Sequence, residues 1–253
     1  MKIKFKKTLF GFLSVLFWVA VWHFAAIRVG KSILLPTPRE TVEVFLAITQ
    51  TGEFWLTALT SLKSVFSGAL AGVLLGLIIA LLSYISPLLK YLFAPLLSLV
   101  KATPVASFII LALVWLGKDV IPFVIALMMV APIVAANLYE GLVAVDAQLY
   151  EVAKLYGFSF RKKWRMLYRP SLLPYFLSAV KSGIALSWKA GIAAEVLCTP
   201  ENSIGKYLHE SRLYLEYPTL FAWTLTVIIL SFFLEKVVVW AIEKLLGGGQ
   251  KKV

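Results

Sequence analysis

The sequence predicts an all-α membrane protein with six transmembrane helices. Hydrophobic residues make up 60% of its 253 positions and charged residues only 15%. The mean hydropathy of +0.88 belongs to integral membrane proteins rather than to a soluble core. Long apolar runs are separated by short polar segments, and the Lys and Arg residues gather at the ends of the runs. That placement explains the net charge of +12 as membrane orientation, so no nucleic-acid partner is expected.

The chain opens with Lys2, Lys4, Lys6 and Lys7 ahead of an uncharged stretch from Thr8 to Ile27. Such a stretch matches a hydrocarbon core of ~30 Å, and it lacks the compact apolar region and cleavage site of a signal peptide. Residues 1–30 are therefore expected to be a retained first span with the amino terminus inside. Residues 31–54 form an outer amphipathic connection. Thr37 or Pro38 opens its short helix, which runs through Gln50 with Val42, Phe45, Leu46 and Thr49 on one side.

The second span, Ser64 to Ile85, is uncharged and carries Gly68, Gly72 and Gly76 on one helical face. In lipid, apolar burial gives helices little reason to associate, so a small-residue stripe predicts a close packing seam. The third span runs from about Tyr91 to Trp115 and is interrupted by Lys101-Ala-Thr-Pro104. A lysine inside a span costs ~2.5–3.5 kcal/mol on insertion scales, and Pro104 frees a backbone carbonyl. Both features turn this face inward.

Gly117-Lys-Asp119 is a small outer turn, and the fourth span begins at Ile121-Pro122 with Pro132 near its middle. The fifth, from about Leu172 to Leu197, includes Lys181, Lys189 and Glu195, so hydropathy alone scores it poorly and the topology requires it. Residues 198–217 are expected to be a polar outer loop, with Ile204, Tyr207 and Leu208 dipping into the interface. The sixth span runs from Thr219 to about Leu234, its inner end continues through Glu235-Lys236 to Lys244, and residues 246–253 form a disordered tail. With both termini inside, most Lys and Arg residues fall on the inner side.

The segment 146–174 is different in kind. Asp146 is placed to cap a helix of about ten residues, and Gly157 to end it with a positive φ. A second helical start follows at Ser159, with Phe160, Trp164 and Leu167 on one apolar face. Between Val152 and Pro170 there is no acid, whereas Lys154, Arg161, Lys162, Lys163, Arg165 and Arg169 are all present. This loop is cytoplasmic by charge; composition alone would let it serve simply as an anchor on anionic lipid.

Its register resembles a known family. Glu151-Val-Ala153, three residues, Gly157, nine residues, then Leu167, Arg169 and Pro170 are similar to the loop signature of importer permeases of the ATP-binding cassette class. Val152 stands where that signature has Ala, and Arg169 where it has Leu. The resemblance implies that 146–170 is a coupling helix and loop received by a cytosolic ATPase, with Glu151, Ala153, Gly157, Leu167 and Pro170 as coupling residues. It also implies a five-helix importer permease core over 55–245, preceded by the extra N-terminal span. Leu34-Leu-Pro-Thr-Pro38, Lys101-Ala-Thr-Pro104 and Ala193-Ala-Glu195-Val-Leu197 resemble the nitrate, sulfonate, taurine and bicarbonate branch.

From that branch follow the expected partners: two copies of an ATP-binding subunit, an extracytoplasmic solute-binding protein, a second copy of this permease and membrane lipid. ATP and Mg would bind the ATPase, and no cofactor is expected in this chain. The expected location is the plasma (inner) membrane. The expected solute is a small oxyanion or sulfonate such as nitrate, taurine, an alkanesulfonate or bicarbonate, although some members of the branch carry neutral vitamin precursors.

The residues themselves offer no catalytic set. There is no Gly-rich phosphate cradle, no paired carboxylates within a span and no Ser/His/Asp constellation, so the chain is not expected to be an enzyme. Cys198 is the sole cysteine, and His23 and His209 lie far apart, so no metal site is expected. For the solute path the candidates are Lys101 and Thr103 on the third span, and Trp188, Lys189 and Glu195 on the fifth. A cation on the pathway favours an anion by offsetting part of its desolvation, while the same lysines would also serve as snorkelling anchors or interhelical ion partners. The competing functional class is a gradient-driven carrier or channel without an ATPase; no internal repeat supports it, and it leaves the 146–170 loop without a task.

Overall fold

The computed structural model describes residues 2–246, and every regular element among them is helical. In order these are α1 Lys2–Val29, α2 Pro38–Thr49, α3 Gly52–Ile85, α4 Pro87–Ala102, α5 Val105–Trp115, α6 Ile121–Val143, α7 Ala147–Leu155 and α8 Phe160–Lys163. A π-helical turn, Trp164–Tyr168, leads into α9 Arg169–Cys198, then α10 Ile204–Leu213 and α11 Tyr217–Leu246. The expected tail, apart from Leu246, lies outside the described residues.

α6 is the hub. Ile121, Ile125, Ala126, Val130 and Val134 are wholly buried, and α3 and α9 pack along it. α3 and α6 run in the same direction with a constant register. A Cβ built on Gly68 would stand 2.2 Å from the Phe123 carbonyl oxygen, one on Gly72 2.7 Å from that of Leu127, and one on Gly76 2.7 Å from that of Ala131. The stripe is thus the seam that the four-residue spacing predicts, and backbones touch there because no side chain intervenes. Gly191 of α9 instead makes room for the Val65 side chain of α3, where a Cβ would meet Val65 Cγ2 at 2.5 Å.

α1, α3, α6 and α11 are each long and apolar enough to cross a membrane. The third predicted span departs from a single run: α4 and α5 meet at 106° across Thr103-Pro104. Proline disfavours helical geometry in the residue before it, and Thr103 is extended (ψ 131°). Thr103 Oγ1 and N both donate to the Leu99 carbonyl, closing α4 cleanly. α9, at 30 residues, is long enough to cross but carries Lys181, Lys189 and Glu195. Packing against α6 and α3 holds it in the bundle where hydropathy alone would not.

Three boundaries also differ from the sequence expectation. α3 begins at Gly52 under a Thr51 cap, well before Ser64. α11 runs to Leu246 as one helix, so the span expected to end near Leu234 and its inner extension are not separate. Residues 198–217 are not an irregular loop, because half of them form α10, capped by Ser203 and packed against α9 and α11. Ile204 is fully buried, and Tyr207 stacks on Trp223 at 4.9 Å. α2 starts with the capping box that Thr37 and Glu40 allow, each side chain bonding the other's backbone N–H. α1 is tied to the rest near its end, where Trp22 stacks on Phe221 and its indole N–H donates to the Pro36 carbonyl.

Candidate functional site

The segment between α6 and α9 is built as a stiff projection. Asp146 caps α7 by accepting from the Gln148 and Leu149 amides at 2.8 and 3.3 Å. At the other end Gly157 has φ +62°, its N–H donates to the Lys154 carbonyl, and the Phe158 N–H donates to the Ala153 carbonyl. That pair of bonds is a Schellman closure, which glycine adopts without steric cost. The chain then makes one turn of α8 and the π-helical turn before α9 begins. Ser159 stands at the start of α8, where its carbonyl rather than its hydroxyl receives the Lys162 and Lys163 amides.

This projection turns two apolar side chains inward and leaves several large ones outward. Ala153 and Leu167 are buried within the chain, while Glu151, Gly157 and Pro170 are exposed. Leu155 is 83% exposed, Tyr156 73% and Phe160 78%. Lys162 lies over the Phe158 ring at 3.7 Å and Lys163 over the Tyr150 ring at 5.1 Å. The apolar face of Phe160, Trp164 and Leu167 therefore divides: Leu167 anchors the turn, and the two aromatics stay open. A cluster of exposed apolar side chains rimmed by cations on a capped, rigid helix suits contact with another protein.

The pathway candidates fall in different places. Lys101 and Thr103, at the α4–α5 break, line an open cavity of about 240 Å3 with Met128, Met129, Pro132 and Leu186. Lys189 is exposed on α9. Trp188 is buried and its indole N–H donates to the Val227 carbonyl of α11 at 3.0 Å. Glu195 is buried too, and Oε2 accepts the Ser61 hydroxyl at 2.8 Å and the Gly205 N–H at 3.0 Å. The structure thus brings Lys101 and Thr103 together at one cavity and sets Trp188 and Glu195 into helix contacts. Ser61 and Gly205 were not singled out from the sequence; the one available signal was Ser203 followed by Ile204 and Leu208 at helical spacing.

Among the described residues no three His, Cys, Asp or Glu side chains converge on a metal-sized site.

Comparison with known proteins agrees with this architecture. A probable permease protein of an ATP-binding cassette transporter from Brucella melitensis is 27% identical over 87% of this chain and 89% of its own. The putative aliphatic sulfonates transport permease of Bacillus subtilis is 26% identical over 81% and 74%. The taurine transport system permease of Escherichia coli is 24% identical over 89% and 83%. In fold, the chain resembles a crystal structure of an amino acid ATP-binding cassette transporter with histidines, with a TM-score of 0.59, 20% identity and coverage of 80% of this chain and 95% of that one. Residues 72–245 match a family of membrane transport components, a span that takes in the glycine seam from Gly72, the capped α7 projection, α9, α10 and all but the last residue of α11. The chain is a multi-pass importer permease that belongs to the family of binding-protein-dependent transport system inner membrane components.

Proposed function

We propose that this permease imports a small sulfonate or oxyanion, handed over by a solute-binding protein and driven by a separate ATPase that docks on α7. The observation that carries the docking assignment is the capped projection of α7 and α8, whose Leu155, Tyr156 and Phe160 side chains stay open among the described residues. Two permeases pair with two ATPase subunits, the termini and α7 lie in the cytoplasm, and α10 lies outside. The chain then crosses six times, with the bent α4–α5 pair as the third crossing. ATP and Mg belong to the ATPase.

Support for the solute class comes from the sulfonate and taurine permeases among the relatives. Lys101 and Thr103 at the helix break are the groups proposed to meet the solute. A cation and a hydroxyl at an open cavity suit an anion's charge and its oxygen acceptors. Lys189 is placed on the same route. Trp188 and Glu195 are packed inside and do not touch solute.

The test is a thermal-shift screen of the cognate solute-binding protein against taurine, alkanesulfonates, nitrate, bicarbonate and a neutral pyrimidine. A ligand present at a hundred times its dissociation constant stabilises the protein by ~2.7 kcal/mol. A shift with a sulfonate or oxyanion supports the assignment. A shift with the neutral ring alone overturns it.

A further inference from the structure

Glu195 belongs to a compact clasp that the transport assignment does not use. Its Oε2 receives the Ser61 hydroxyl of α3 and the Gly205 N–H of α10, and Ser61 Oγ in turn receives the Ile204 N–H at 2.9 Å. Glu195, Ser61, Ser203 and Ile204 are all buried. The carboxylate and the hydroxyl therefore satisfy two of the amides that open α10, in a place closed to water. Gly205 is required for it: a Cβ there would stand 2.2 Å from Glu195 Cβ. The turn that delivers α10 to this point carries Thr199 at φ 45° and Asn202 at φ 50°. A β-branched residue holds that conformation only where its surroundings enforce it.

The clasp sits at one end of a single rod. α9 runs unbroken from Arg169 to Cys198, about 45 Å at the helical rise, with the docking segment joined directly to its start. The π-helical turn Trp164–Tyr168 joins them without a break, and single π-turns are frequent at functional sites. Nothing in α9 beyond its first two turns interrupts the helix, since Pro170 and Pro174 both lie near its start. α9 is therefore one stiff element running from the docking segment to Glu195.

α10 cannot follow α9 through its connecting turn alone, which is short but irregular. It is held from three sides: by Glu195 of α9, by Ser61 of α3, and by the stack in which Trp223 of α11 lies between Tyr207 and Phe54. We infer that Glu195 and Ser61 are positioning residues of the transport cycle, forming the joint that makes α10 move with α9 when the docking loop is displaced. The inference rests on the ATPase-coupled reading above.

The experiment uses the full transporter with its ATPase and binding protein, reconstituted in nanodiscs. Three readouts are taken: assembly, basal ATP hydrolysis, and stimulation of hydrolysis by the solute-loaded binding protein. Glu195→Ala and Ser61→Ala are expected to assemble and keep basal hydrolysis but lose stimulation by at least about fivefold, the low end of typical intersite coupling. Glu195→Gln keeps an acceptor oxygen for both donors and is expected to retain stimulation. Full stimulation in both alanine variants, or its loss in Glu195→Gln, overturns the inference. If an alanine variant fails to assemble, hydrogen exchange of the wild-type complex decides: the segment 203–208 must stay protected with and without ATP, and rapid exchange in either state shows that the clasp opens. A wild-type permease that never associates with an ATPase refutes the functional reading instead.

Discussion

Gly72 of α3 lies so near Leu127 of α6 that a methyl group on its Cα would stand 2.7 Å from the Leu127 carbonyl oxygen. The obstacle is backbone, which cannot rotate away as a side chain can. Gly72→Leu is expected to lower stability by about 1–3 kcal/mol, the usual cost of overpacking. Gly117→Leu, where a Cβ meets nothing within 4 Å, is expected to leave it unchanged. Thermal melting in one detergent compares the two, and equal melting temperatures would deny the seam.

That seam was legible in the sequence because lipid removes the main competitor to small-residue packing. The caps of α7 were legible for a similar reason: Asp146 and Gly157 act on their own neighbours, so no tertiary knowledge is needed. The identity of α10 was not. Its sequence is polar, and only burial of Ile204 against α3 and α9 turns a stretch that reads as a loop into a helix. The partners of Glu195 were hidden for the same cause. A carboxylate in a span suggests a pathway, whereas its partners, Ser61 and Gly205, lie 134 and ten residues away and are ordinary in any local window. The break at Thr103-Pro104 was visible as an interruption, but its 106° angle depends on how α5 packs on α9 and α6.

The α7 caps predict a graded loss of coupling. Asp146→Ala removes the side chain that receives two amides, at about 1 kcal/mol of local stability. Gly157→Val forces a β-branched residue to φ +62°, roughly 1–2 kcal/mol or more. ATP-driven uptake in membrane vesicles should fall in both, more in Gly157→Val, while membrane insertion stays normal. Unchanged uptake in Gly157→Val would mean that the shape of the projection does not matter.

Lys101 gives a charge test of the pathway. If it meets an anion at the α4–α5 break, Lys101→Met should weaken uptake roughly tenfold, the scale of a hydrogen bond to a charged group. Lys101→Arg should retain most of it. Equal transport by the wild type and the Met variant would make this lysine an anchor at the membrane surface.

Trp188 gives a test of packing without solute contact. Trp188→Phe removes the indole N–H that reaches the Val227 carbonyl and should cost about 1 kcal/mol of stability. The apparent affinity for solute should not change. A shift in that affinity larger than the shift in stability would place Trp188 on the route itself.

The most direct measurement places a photo-crosslinking amino acid at Leu155, on the open face of α7, in cells carrying the cognate ATPase. The same probe at Trp115, at the end of α5, serves as the comparison, since both positions are well exposed. A covalent adduct with the ATPase subunit is expected from position 155 and none from 115. An assembled, transport-active permease that yields no such adduct at 155 would contradict the claim that α7 is where the driving force enters.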